Sequence, residues 1–132
     1  MRKFRFDKLV RDKIPEDQRR EGSNVEVRVL NDAEYIEALK QKIAEECQEI
    51  EATNREEAVK ELADLQEVLD CMAEALGTDK TEIAKIQATK RTKAGSFKER
   101  LYIETIEVAD DNPWIKHYID NPDRYPEIGT GS

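Results

Sequence analysis

Residues 44–67 read AEECQEIEATNREEAVKELADLQE. Glu45, Glu46 and Glu49 fall in one predicted helix, and Glu61 and Asp64 in the next. Acids three apart are neighbours on a helix surface, so each helix presents a carboxylate pair beside its apolar stripe. Crowded carboxylates repel, and burial favours their neutral form. A positive partner therefore belongs between them. If the two helices pack antiparallel through their stripes, which the short connection favours, Glu46 and Glu49 face Glu61 and Asp64 across one groove. Four carboxylates make an oxygen-only site, the chemistry of a hard cation such as Mg²⁺ or Mn²⁺. A di-iron bundle would need a Glu-x-x-His motif on two helices, and the chain has one histidine, His117, read as a surface residue of the tail. Acids also decorate ordinary solvated helix faces. Glu51, Glu56, Glu57, Glu67 and Glu74 are read that way.

The elements that must position these acids follow from periodicity and caps. Ile36, Leu39, Ile43, Cys47 and Ile50 recur at helical steps and predict a helix from Asp32 to about Ala52, its stripe centred near Ile43 and Cys47. Asn54 with Glu57 forms a cap pattern that opens the next helix, whose stripe runs Ala58, Leu62, Leu65, Leu69, Met72 and Leu76 before Gly77. Asp79 and Glu82 repeat the cap pattern and open a further long helix to about Lys93. Upstream, FRFDKLVRDKIP reads as an irregular arm that Phe4 and Phe6 could anchor, followed by a short helix that Gly22 ends. The alternation in NVEVRVL predicts a half-buried strand, which could pair with the β-rich RLYIETIEVAD. The tail from Asp111 holds three of the prolines and reads as a short helix followed by an extended end. No repeat, low-complexity tract or linker interrupts the chain, so 1–132 is read as one domain, mainly α with a small antiparallel β element.

Composition narrows the partners. Charged residues make up 39% and hydrophobic ones 38% of 132 residues. The regular apolar stripes set this apart from disorder. A formal charge of -8 opposes non-specific nucleic-acid binding, which rests on basic contacts to phosphate. No apolar run reaches the roughly 20 residues of a membrane span, and the charged start lacks a signal-peptide core, so the protein is read as cytoplasmic. Cys47 and Cys71 fall on apolar faces and are expected as buried free thiols.

EECQE, eleven residues, then ELAD resembles the EExxE…ExxD signature of the MazG-like all-α nucleoside triphosphate pyrophosphohydrolases. KLVRDKIP, residues 8 to 15, is similar to the start of a phosphoribosyl-ATP pyrophosphohydrolase-like subgroup. KRTKAGSFKERLYIE resembles the family's basic-glycine segment, with Ala94-Gly95-Ser96 departing from the usual double glycine. The resemblance covers most of residues 8 to 105 and none of the tail. It implies a MazG-like helical bundle that hydrolyses nucleoside triphosphates between the α and β phosphorus, giving a monophosphate and pyrophosphate. It implies magnesium on Glu46, Glu49, Glu61 and Asp64, with Glu45 orienting a water or holding a second metal. Divalent ions would also bridge an acidic protein to a polyanion. Lys90, Lys93 and Arg100 would complete the phosphate clamp, with Arg11 or Lys13 of the arm as further candidates.

House-cleaning of non-standard nucleotides is the role this resemblance suggests. A dUTPase-like activity and the phosphoribosyl-ATP step are rivals within the enzyme class. A helical oligomer that binds nucleotide or metal without turnover is the rival outside it. The stripes carry more apolar surface than one thin bundle needs, so a homodimer or homotetramer is expected. Base recognition stays open among Trp114, Tyr102, Tyr118 and Phe97, each of which could stack on a base or fill a core.

Overall fold

The computed structural model describes residues 1–129 and divides the chain into two compact units, Met1–Lys93 and Ala94–Ser132. The expected extended end at 130–132 lies outside the described residues. The order of elements is α1 (Ile14–Arg20), α2 (Asp32–Gln48), α3 (Arg55–Ala75), α4 (Lys80–Ala94) and α5 (Ile115–Asp120). The protein is mainly α-helical. Among the described residues, no helix is long and apolar enough to cross a membrane.

Local chemistry fixes the helix ends. The Asn31 side chain accepts from the Glu34 backbone N–H while Glu34 returns the bond to the Asn31 N–H, a complete capping box opening α2. Asn54 accepts from the Glu57 N–H at 3.2 Å, and Asp79 from the Glu82 N–H at 2.9 Å. Four orphan donors begin every helix, and these side chains satisfy one of them each time. α3 ends in a Schellman turn: Thr78 N–H bonds to the Ala73 carbonyl and Gly77 N–H to that of Glu74, with Gly77 at φ 78°. Gly22 closes α1 in the same manner at φ 99°. A side chain at either glycine would be strained by that backbone.

In the first unit, α2 and α3 form the one extensive helix–helix contact. Tyr35, early in α2, meets Cys71, late in α3, while Glu46 near the end of α2 meets Glu61 near the start of α3. The helices therefore run antiparallel. Leu39 and Ala73 are buried along this seam. Ordinary hydrophobic burial covers little else: Leu62, Leu69 and Leu76 stay 52%, 43% and 62% exposed. Cys47 is exposed and Cys71 half-buried, both as free thiols, so the expectation of two buried thiols fails. A seam with one partner covers only part of a stripe, and it passes over Leu39 and Glu46, leaving Cys47 outside.

No strand forms among the described residues. Residues 24–30 lack a ladder, and Val27 and Val29 are 57% and 97% exposed. Alternation makes a segment suited to a sheet, but every second backbone N–H and C=O needs a neighbouring strand to pair with. The segment is tied down instead by side chains: Arg28 makes a two-pronged pair with Glu34 at 2.8 and 3.2 Å, and Arg19 donates to the Val25 carbonyl at 3.0 Å. Residues 101–109 of the second unit are likewise irregular. That unit gathers Trp114, His117, Tyr118 and Tyr125 into an aromatic group, with ring centroids 5.1 Å apart for Tyr118 and Tyr125. Phe97 and Tyr102 remain exposed.

Candidate functional site

The seam brings acids from both helices to one point. Carboxylate oxygens of Glu46, Glu61 and Asp64 all lie within 4.8 Å of one another. Glu46 is buried, with a side chain only 9% exposed, while Glu61 and Asp64 are half-buried. Glu49, the C-cap of α2, also acts on the Glu61 carboxyl. The antiparallel hairpin thus brings together Glu46, Glu61 and Asp64, three of the four acids expected from the sequence, and leaves the exposed Glu49 outside that group. Glu46 is more deeply placed than its position at the edge of the stripe implies.

The electrostatics are those of carboxylates crowded at close range. Glu46 Oε2 and Glu61 Oε2 are buried with no hydrogen-bond partner. A buried carboxylate oxygen without a donor is costly, and an ion in the groove is one group that would satisfy both. Glu46 facing Glu61 pushes the Glu61 carboxyl up to about 7, with burial and Glu49 adding to the rise. Like charges at close range cannot all ionise, so the group holds its proton near neutral pH. The donor set fits Mg²⁺ or Mn²⁺, with Glu46, Glu61 and Asp64 converging and Glu49 beside them.

This shift has a sign that stability measurements can read. Glu61 titrates at about 7 folded against an ordinary 4.5, so the folded state binds the extra proton. The stability it contributes is present below pH 4.5 and is lost as pH rises towards 7. Metal-free protein should melt at lower temperature at about pH 8 than at about pH 5 through this group, and Glu61→Gln should flatten the difference. Thermal melts in chelator at the two pH values check it. An unchanged profile in the variant would mean the acids do not share a field.

Cations already surround the cluster. Lys8 Nζ lies 3.2 Å from Glu45 Oε1, and Arg11 Nη2 lies 2.8 Å from Asp64 Oδ1. Lys42, one turn before Glu46 on α2, reaches Glu45 at 3.5 Å and Glu46 at 3.8 Å. The hydrogen bond from Lys8 holds the Glu45 carboxyl below the ordinary range, and Lys42 adds to this. Glu45 is therefore a held anion beside the triad rather than a member of it. Lys42 and the pairing role of Lys8 are absent from the sequence-based set. The Lys42–Glu46 step of four was the signal for the first, whereas nothing periodic marks the second.

The remaining candidate bases stand differently. Lys90 and Lys93 lie on α4, exposed along its whole length, and Lys13 is the exposed N-cap residue of α1. None of these three, nor Arg100, forms an ion pair among the described residues. Arg100 belongs to the second unit, in a turn where its N–H bonds to the Phe97 carbonyl and its φ is 60°. Residues Ala94 to Leu101 curl around a small concavity. Gly95 follows α4 at φ 85° with open space where a Cβ would sit, so its backbone conformation suffices to explain a glycine there. No family model, curated protein or solved structure matches the chain.

Proposed function

We propose that the protein is a divalent-cation-dependent nucleoside triphosphate pyrophosphohydrolase, cleaving between the α and β phosphorus to release pyrophosphate. The observation that carries this reading is the convergence of Glu46, Glu61 and Asp64 within 4.8 Å, with two buried carboxylate oxygens left without partners. The resemblance of EECQE and ELAD to the MazG-like signature supplies the reaction. A bound Mg²⁺ or Mn²⁺ would neutralise phosphate oxygens and lower the pKa of an attacking water. Glu46, Glu61 and Asp64 would hold it, with Glu49 adjoining. Glu45, kept ionised by Lys8 and Lys42, would orient that water. The bases of α4 and the arm would grip the phosphate chain.

A pyrophosphate-release screen with Mg²⁺ over ordinary and modified deoxynucleoside triphosphates tests the reading. dUTP and phosphoribosyl-ATP belong in the panel because those activities are the rivals within the class. Release of pyrophosphate with the monophosphate as co-product is expected, strongest on a non-standard nucleotide. Metal-dependent nucleotide binding without release would make the protein a sensor or scaffold instead.

The working form in this proposal is a homodimer or homotetramer. Val59, Leu62, Leu69 and Leu76 expose apolar surface along α3 and its end, beyond what the α2 seam covers. Exposed stripes of this extent mark contact surfaces. Sedimentation at micromolar concentration should give a multiple of 15.3 kDa. A clean monomer would remove the oligomer from the proposal.

A further inference from the structure

We infer that the arm residues Lys8 and Arg11 form a cation strap across the acidic groove, in which Arg11 exchanges Asp64 for the substrate's phosphates when a divalent ion arrives. The inference rests on the divalent-ion reading of the groove. Its basis is the placement of two bases, three residues apart, on acids of two different helices: Lys8 on Glu45 of α2 and Arg11 on Asp64 of α3. Between them Leu9 and Val10 are half-buried while the flanking residues are exposed, so an apolar pair seats the strap and leaves its charged ends over the groove. Phe4 and Phe6, the anchors expected from the sequence, are 74% and 58% exposed, and Phe6 meets the strap only as a ring 6.0 Å from the Lys8 ammonium. Asp7 precedes the strap at φ 45°, a left-handed turn that Asp tolerates better than most residues and that redirects the chain towards the helices.

Arg11 is suited to exchange. Its side chain is 59% exposed and that of Asp64 43%, so the pair is a solvated one of small net stability and can be broken cheaply. Asp64 is also one of the three converging acids, so the same carboxylate must serve either the guanidinium or the ion. Released, the planar guanidinium offers two parallel donors, the geometry that suits a phosphate. A strap of this kind would neutralise part of the acid cluster in the metal-free protein and supply a phosphate ligand in the loaded one.

Calorimetric titration of metal-free protein with MnCl₂ tests the exchange directly. Arg11→Ala is expected to bind Mn²⁺ about two- to five-fold more tightly than wild type, the fold-change an exposed ion pair is worth. In the Mn²⁺-loaded protein the same variant should bind an α,β-methylene nucleoside triphosphate about ten-fold more weakly, the scale of a charge-assisted hydrogen bond. Arg11→Lys keeps the charge but not the fork and should fall between. Lys3→Ala removes one charge from the same arm, where the partner is the exposed Glu26, and should match wild type in both titrations. If Arg11→Ala binds Mn²⁺ no more tightly than wild type or Lys3→Ala, the strap is overturned while the metal reading stands. A wild-type protein that binds no Mn²⁺ overturns both.

Discussion

Glu46→Gln, Glu61→Gln and Asp64→Asn are each expected to lower Mg²⁺-dependent turnover by at least about a hundred-fold, the upper end of what losing a group that only supports a metal ligand costs. The amide matches the carboxylate in volume, so the packing of the α2–α3 seam is preserved. What is removed is one anionic oxygen from a set that converges within 4.8 Å. Glu49→Gln is likewise expected to abolish turnover. Stability should move the other way. The metal-free acids repel, as the raised Glu61 carboxyl shows, so the Glu46 and Glu61 amides should melt no earlier than wild type and later above neutral pH. Asp64→Asn gives up the exposed pair with Arg11, worth at most about 1 kcal/mol, and should be close to neutral. Steady-state kinetics with circular-dichroism melts in chelator separate the two effects. Near-normal Mg²⁺-dependent hydrolysis in Glu46→Gln or Asp64→Asn would end the metal-site assignment.

Lys90→Ala and Lys93→Ala are each expected to raise KM for triphosphate, or lower kcat, by roughly ten-fold or more. Carboxylates cannot themselves grip phosphate, and Lys42 is already paired with Glu45 and Glu46, so further bases would come from other elements. α4 carries Lys90 and Lys93 three residues apart, close enough on a helix to reach one ligand together. Arg91 points about 100° away, and Arg91→Ala should change little. The losses should be larger for triphosphate than for inhibition by monophosphate product, because these bases would hold the β and γ groups. Kinetics on the three variants decide it. A critical Arg91 with both lysines dispensable would mean that the other face of α4 meets the substrate, while leaving the metal site untouched.

The helical part of the molecule was legible because helix signals are local. Asn54 with Glu57, Asp79 with Glu82, Gly22 and Gly77 each act within one turn of the chain, and each end lies where those residues place it. The gathering of Glu46, Glu61 and Asp64 was legible for a related reason: periodicity gives the face of each helix, and a short connection leaves few ways to bring two faces together. The depth of Glu46 was not, because periodicity centres a stripe without saying which of its edges meets the partner. The same gap misplaced Cys47, which looks apolar by position and is left in the open. The alternating valines of 24–30 show the converse. A strand is a property of two segments, and one segment's pattern cannot supply the other's hydrogen bonds. Lys8 and Arg11 sit in an arm without period, where sequence gives composition but no direction.

The connection between α2 and α3 spans only residues 49–54. All three converging acids therefore come from one continuous segment, and the entropy of closing the loop between them is small. Contacts so close in sequence form early and quickly, before pairings that must draw distant parts of the chain together. The acid cluster can then assemble as this hairpin folds, without waiting for the arm, the second unit or another copy of the chain. Ion capture would be an event of the nascent protein, and the ion a participant in its folding as much as in its chemistry.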